Sequence, residues 1–462
     1  MLYHIDMKYV DLFSGCGGLS LGLERAGFEL AVSVEKSEMA AETFYHNLVK
    51  RLEEKDEWVN YCMLPIKEQF DKKVITRELE DLLKDNDLMN KLRGMNIDIV
   101  VGGPPCQGFS MAGRRDPKDV RNELPWQYLD FVKEINPKAV VIENVVGMSR
   151  SFKKNGNEKA PFEQLQEALR NTGEGYIVQP VHVNAVHYGV PEHRPRLMIL
   201  GLRKDIAEQQ GVTSTNKLWS SDFIDTIVDI PRLAPEPTVK ADGLRTIRDA
   251  IGDLNGDNGV SEKARMFLKD MQDASLWKIK APIVEGLPNQ KPRKHQDVAR
   301  DRFRLYQYLR NNGLASQVLN IPSQNNEQAT KNLLSETYST AKVPAYSPDG
   351  TLLASTKDEL IDLTISLKTK KHSQRALHWD KPSPTVVTLP DDYIHPSEPR
   401  IFTVREYARL QGFPDAFEFR AKETTGGKKR RVEVPQYSQI GNAVPPLLAY
   451  AVGKKFSDIL SA

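Results

Sequence analysis

The sequence predicts an α/β fold built on a doubly wound, mostly parallel sheet, joined to a second, smaller domain. Three observations lead there. Over the first 200 residues, short apolar runs rich in β-branched side chains alternate with stretches of helical period. Several of the runs lead into Gly-rich or acidic segments, where ligands gather in doubly wound sheets. Past Arg203 the alternation stops, and the proline-bearing stretch Pro231 to Pro237 reads as a linker.

Taken in order, Tyr9 to Phe13 and Phe28 to Val34 read as the first strands, with helical Leu19 to Ala26 between them and Ser37 to Leu48 after them. Ile97 to Val101, Ala139 to Ile142 and Ile177 to Val183 continue the strands, with helical Trp126 to Ile135 among them. Arg196 to Leu202 follows its predecessor too closely for a crossover and predicts an antiparallel hairpin. Residues 255 to 380 mix short apolar and polar segments without a clear period, and helical and strand signals return after Arg400.

A chain of 462 residues is long enough for two domains. Its 40% hydrophobic and 27% charged residues suit a globular protein and exclude disordered and fibrous classes. The net charge of +2 hides local segregation, so it identifies no partner. Met1 to Val10 lacks the apolar stretch of a signal peptide, and no run is long and apolar enough to span a membrane. Three cysteines, Cys16, Cys62 and Cys106, have neither metal-ligand spacing nor the number for a disulfide framework, so no metal and a reducing cytoplasm are expected.

Four segments carry chemistry. Asp11 to Gly18 (DLFSGCGG) joins a strand to a helix, where glycines permit close backbone approach and the helix start offers free amides; a plain turn reads similarly. Glu35, ending the next strand, is placed to accept ribose hydroxyls. Ile97 to Ser110 (IDIVVGGPPCQGFS) runs from a buried strand into a Gly/Pro loop bearing Cys106, where neighbouring amides favour the nucleophilic thiolate. Val140 to Gly147 (VVIENVVG) presents Glu143 and Asn144 at a strand end, a carboxyl suited to proton exchange with a ring nitrogen or, more plainly, a helix cap. Tyr188 to Arg196 (YGVPEHRPR) alternates Arg194 and Arg196, suited to carbonyl or phosphate oxygens or to surface ion pairs.

With RIFTVREYARLQGFPD (Arg400 to Asp415) and QIGNAVPP (Gln439 to Pro446), these segments resemble the DNA cytosine-5 methyltransferase family, in that family's order and over most of the chain. The resemblance implies a Rossmann-like methyltransferase fold, with residues 1–238 as catalytic and cofactor-binding domain, 239–398 as target-recognition domain and 399–462 completing the catalytic domain beside the N-terminal strand. It implies S-adenosylmethionine as cofactor, held by Phe13, Ser14, Gly15, Gly17, Gly18, Leu19, Glu35, Lys36, Pro104, Leu124, Asn442 and Val444. Cys106 is implied as the thiolate that adds to cytosine, Glu143 and Arg196 as the groups holding the ring, and Arg194 as their support. Because a stacked base is inaccessible, the resemblance also implies base flipping, with Gly108 to Leu124 as a closing loop whose Arg114, Arg115 and Arg121 meet phosphates.

Three positions depart from the family pattern. Lys36 stands where an aromatic residue is common, no acid occurs at Leu64 to Ile66 where one is expected after the third strand, and Glu192 replaces a glutamine. Basic clusters at Lys291 to Arg310, interleaved with Phe303, Tyr306 and Tyr308, and at Lys368 to Lys381 fit phosphate contacts or solvated helix faces equally. Arg420 to Arg431 reads as a basic hairpin. The expected partner is double-stranded DNA, the expected state a monomer in the bacterial cytoplasm at the nucleoid, and a cognate restriction endonuclease its expected associate. A transfer-RNA cytosine methyltransferase and a catalytically inactive DNA-binding protein are the competing functions.

Overall fold

The computed structural model describes residues 7–105, 123–149, 159–256, 261–280, 286–427, 429 and 432–462. Eight strands form the main sheet: β1 (Met7–Leu12), β2 (Phe28–Val34), β3 (Val74–Ile75), β4 (Ile99–Gly102), β5 (Ala139–Asn144), β6 (Tyr176–Asn184), β7 (Pro195–Arg203) and β8 (Trp219–Ser220). Their order is β3-β2-β1-β4-β5-β7-β6-β8, and β7 alone runs antiparallel to its neighbours. The expected hairpin is therefore β6–β7.

Why the central strands read as unbroken apolar runs follows from their two-sided burial. Ile99 and Val101 enter one core while Val100 enters the other, and Val141 and Val140 divide in the same way. The chain winds outward from β1 through β2 to β3, then restarts at β4 on the other side of β1. That reversal opens a crevice at the carboxyl ends of β1 and β4, and both Gly-rich loops start there.

Helix α1 (Gly18–Arg25) follows β1, and α2 (Glu38–Leu48) follows β2 with the Ser37 hydroxyl capping Ala40 N–H. The C-terminal helix Pro446–Leu460 returns to the N-terminal region, packing on α1 rather than beside β1. Gly18 makes this possible, because a Cβ there would stand 2.3 Å from the Val444 carbonyl oxygen. The linker expected at Pro231 to Pro237 is instead packed: Leu233 and Ala234 are fully buried in the first core, and the Pro235 carbonyl accepts from Tyr188. Ile247 to Trp277 supplies further residues to that core.

A third core gathers side chains between Phe303 and Ile401, including the helix Asp297–Asn311. Phe303, Tyr306 and Tyr308 are buried in it, which removes them as base-stacking surfaces. The arginines beside them are equally engaged. Arg302 donates to the Leu367 and Lys368 carbonyls, Arg304 pairs with Asp301 and Asp349, and Arg310 donates to the Leu377 and Pro396 carbonyls. After Arg400 the described regular elements are helices. The hairpin expected at Arg420 to Arg431 is irregular at its described positions, with Arg420 paired to Glu42 and Glu418.

The helix Val404–Leu410 is anchored by two buried guanidinium groups. Arg405 donates to the carbonyls of Pro288, Pro414 and Phe417, and burial pushes its pKa down to about 10. Arg409 reaches Asp253, Asp415 and the Ala250 carbonyl. Removing such a cation strands its buried acceptors. Arg405→Met is thus expected to cost about 2 to 5 kcal/mol, read as a lower urea midpoint at unchanged slope; a midpoint equal to wild type contradicts the assignment.

Candidate active site

Strand β5 ends in Glu143 and Asn144, directly beside the start of β7, where Arg196 sits one residue inside the strand. Arg196 Nε donates to Glu143 Oε1 at 2.8 Å, with both side chains nearly buried. A second Arg196 nitrogen, Nη1, donates to the Pro195 carbonyl at 2.8 Å. Burial and the neighbouring Arg194 charge push the Arg196 pKa down to about 10, opposed by Glu143 and Glu192. It remains a cation at neutral pH. Asn144 Nδ2 donates to the Pro104 carbonyl at 3.3 Å, fixing the start of the Gly/Pro loop against the end of β5. Cys106, Arg114, Arg115 and Arg121 lie outside the described residues.

The other two cysteines are poor nucleophiles. Cys16 is buried and directs its thiol to the Gln439 carbonyl, and burial pushes the thiols of Cys16 and Cys62 up to about 12 each.

On the far side of the crevice, Phe13 and Ser14 both donate their N–H groups to the Val34 carbonyl, turning the chain sharply out of β1. Phe13 has φ +60°, a left-handed conformation that non-glycine residues hold at a cost of about 1 to 3 kcal/mol and that gathers at binding sites. Glu35 Oε2 accepts from Gly15 N–H at 2.8 Å and Oε1 from Ser37 N–H at 2.7 Å. Burial raises its pKa while those two donors oppose the rise. Ser14 Oγ and Asp11 Oδ1 are buried without a hydrogen-bond partner among the described residues. Gly17 caps α1, Leu19 is buried, Leu124 begins the helix Leu124–Ile135, Val444 is buried against Gly18, and Asn442 is exposed.

Two family departures gain a structural account. The third strand is Val74–Ile75, whereas Leu64 to Ile66 leads into the helix Ile66–Asp71, so the expected place for an acid was misjudged. A two-residue strand after Lys72 and Lys73 leaves no periodic trace. Glu78 follows this strand and forms an exposed ion pair with Lys36. Glu192, fully buried, accepts from Val386 N–H at 2.6 Å and from Arg194 Nη1 at 3.2 Å. Arg194 also donates to the carbonyls of Val386, Gly441 and Ala443, so its guanidinium faces protein and not the crevice. That junction was not apparent in the sequence, although Gln439 to Pro446 carried a family motif.

A crevice at the switch point of a mostly parallel sheet, a held carboxylate on one side and an arginine–glutamate pair on the other define a group-transfer site of the α/β class. The C-5 cytosine-specific DNA methylase family matches residues 7–458, and the chain belongs to it. It is 29% identical to the type II methyltransferase M.DdeI of Desulfomicrobium norvegicum over 98% of this chain and 88% of that protein. It is 30% identical to M.XorII of Xanthomonas oryzae pv. oryzae over 98% of this chain and 84% of the relative. A putative DNA modification methyltransferase encoded within an E. coli prophage shares the fold, with TM-score 0.54 and 22% identity, covering 99% of this chain and all of that one (100%). The protein is a DNA cytosine-5 methyltransferase, of a family whose methylation depends on S-adenosylmethionine. Among the described residues, no helix is long and apolar enough to cross a membrane.

Asp11 supplies a pH test. Fully buried at the end of β1, it accepts from Ser20 Oγ at 2.6 Å; burial pushes its pKa up to about 7, the Ser20 bond opposing and the Glu35 charge adding. The native state thus keeps a proton that the unfolded chain releases near pH 4, so stability falls as pH rises from about 4 to 7 and the loss is complete above 7. Asp11→Asn mimics the protonated acid. Its stability relative to wild type, followed by melting at a series of pH values, is expected to climb across that interval by at most about a few kcal/mol and level off above it; a pH-independent difference contradicts the assignment.

Proposed function

We propose that the enzyme transfers a methyl group from S-adenosylmethionine to carbon 5 of a specific cytosine in double-stranded DNA, by covalent catalysis from Cys106 on a flipped-out base. The observation that carries this reading is the Glu143–Arg196 pair, 2.8 Å apart where the carboxyl end of β5 meets the amino end of β7, beside the loop that leads to Cys106. The high pKa values of Cys16 and Cys62 leave Cys106 as the remaining cysteine for the role.

Residues on the other wall fit the cofactor. Glu35 is held by two backbone donors with lone pairs left for ribose hydroxyls, Phe13 offers a ring in a strained turn, and the buried Ser14 hydroxyl lacks a partner. Gly15, Gly17, Gly18, Leu19, Lys36, Pro104, Leu124, Asn442 and Val444 complete this proposed set. When bound, the cofactor supplies an electrophilic methyl group.

The protein's own groups do the rest. Cys106 thiolate adds to carbon 6, making carbon 5 nucleophilic. Glu143 binds nitrogen 3 and the amino group and supplies the proton that stabilises the adduct, while Arg196 anchors the carbonyl oxygen at carbon 2. Nη2 of Arg196 has no partner among the described residues and is available for that oxygen. After methyl transfer, loss of the proton on carbon 5 expels Cys106 and restores the ring.

Target choice is proposed to lie within 239–398, where the third core gives a base-reading surface its own support, and 399–462 is proposed to complete the catalytic domain. Lys368 and Lys370, exposed and without ion pairs among the described residues, are the proposed phosphate contacts. The relatives' designation as type II methyltransferases supports a cognate restriction endonuclease, and a cytoplasmic monomer is proposed.

Radiolabelled methyl transfer to duplex DNA, and none to transfer RNA, is expected; the reverse defeats this reading, and bisulfite-type mapping of DNA from expressing cells identifies the site. Cys106→Ala is expected to abolish turnover, and wild type to form a covalent complex with DNA bearing 5-fluorocytosine. Glu143→Gln is expected to slow turnover by about two to four orders of magnitude. Substantial activity in the cysteine variant, or no trapping by an active enzyme, overturns the mechanism. Replacing Lys368 and Lys370 by alanine is expected to weaken binding equally for all sequences and flatten the salt slope by about two; a changed sequence preference refutes the phosphate role.

A further inference from the structure

Three segments far apart in the chain meet on one buried guanidinium. Arg194 Nη1 donates to the Val386 carbonyl at 3.1 Å, and Nη2 to the carbonyls of Gly441 at 2.6 Å and Ala443 at 2.9 Å. The contact with the second segment extends in both directions. His193 N–H donates to the Ser383 carbonyl and Ser383 N–H to the Pro191 carbonyl, each at 2.8 Å, and Thr385 Oγ1 donates to the His193 carbonyl at 2.7 Å. The second and third segments also touch directly, since a Cβ at Gly441 would stand 2.7 Å from the Thr388 nitrogen.

Each segment leads to a different task. Arg194 stands two residues before Arg196, which holds Glu143. Ser383 to Thr388 is the irregular segment returning from the proposed recognition region, bridged to Glu192 at Ser383. Gly441 to Ala443 immediately precedes Val444, which packs on Gly18 in the glycine-rich turn. The junction is not optimised for stability: Arg194 Nε and Glu192 Oε2 are buried without partners, and buried ion pairs with unmet hydrogen bonds add little to stability.

We infer that Arg194 is a positioning residue that couples cofactor binding to engagement of target DNA, by holding the segment that returns from the recognition region, the C-terminal segment proposed to line the cofactor site and the approach to Arg196 in one arrangement. This rests on the methyltransferase reading proposed above. A ligand that settles any one segment then pre-orders the other two, and the effect is reciprocal between the two ligands.

The test uses S-adenosylhomocysteine, which cannot react, and a duplex carrying the mapped site, with calorimetry on the intact protein. In wild type, saturating duplex is expected to tighten S-adenosylhomocysteine binding by about tenfold. Arg194→Lys keeps a cation beside Glu192 but cannot span three carbonyls, and is expected to bring that factor below about twofold. Glu192→Gln keeps an acceptor for Val386 N–H and Arg194, and is expected to preserve it, which a loss of packing alone does not explain. Should Arg194→Lys fail to fold, Thr385→Val removes only the outer hydrogen bond and is expected to reduce the factor about two- to threefold. Full coupling in either folded variant, or none in wild type that binds both ligands, overturns the inference. A wild type that binds neither ligand overturns the methyltransferase reading instead.

Discussion

Irregular chain that crosses the interior of a protein brings carbonyl groups with no helix or sheet to satisfy them, and here buried arginines meet that demand. Arg194, Arg405 and Arg409 have guanidinium groups almost wholly removed from solvent; Arg194 and Arg405 donate mainly to backbone carbonyls, and Arg409 to the carboxylates of Asp253 and Asp415 and the Ala250 carbonyl. A guanidinium suits this work because it presents five donors in a fixed plane and keeps its charge when desolvated. Arg194 joins the start of β7 to two later segments, while Arg405 and Arg409 tie the helix Val404–Leu410 to residues between Ala250 and Pro288 and to the turn that follows it.

That arrangement separates arginines that organise from the arginine that faces the crevice. Arg194 lies just before β7 and Arg196 just inside it, and their guanidinium groups take different partners. One is enclosed by Glu192 and three carbonyls; the other reaches Glu143 and keeps a nitrogen without a hydrogen-bond partner among the described residues. The same sorting applies along Asp297–Asn311, where Arg302, Arg304 and Arg310 bind carbonyls or acids within the third core's surroundings.

Much of the sheet was legible because strands buried on both faces leave continuous apolar runs; β2 was bounded to the residue. The β6–β7 hairpin was legible from loop length alone. β3 and β8 were not, being two residues each and defined only by pairing at the sheet's edges. The placement of Glu35 and of the Glu143–Arg196 pair followed from strand ends and family motifs, but Glu192's partner did not, because Val386 lies 194 residues further along the chain. The basic run at Lys291 to Arg310 misled for a related reason: composition shows charge, whereas engagement by a carbonyl depends on tertiary contact. Its interleaved aromatic residues Phe303, Tyr306 and Tyr308 pack inside the third core.

The packing of Pro446–Leu460 against α1 has a consequence for how the chain is made. The first core draws on residues from Met7 to Ile459, so its earliest and latest members must find each other across nearly the whole polypeptide. During synthesis, α1 and the glycine-rich turn emerge long before the helix that covers them, leaving their apolar face exposed to other chains or to chaperones. Contacts of such sequence separation also slow folding, since a large loop must close before they form. The glycine-rich turn is therefore covered only after Pro446–Leu460 has left the ribosome, and a chain stalled short of it holds a crevice open on one side.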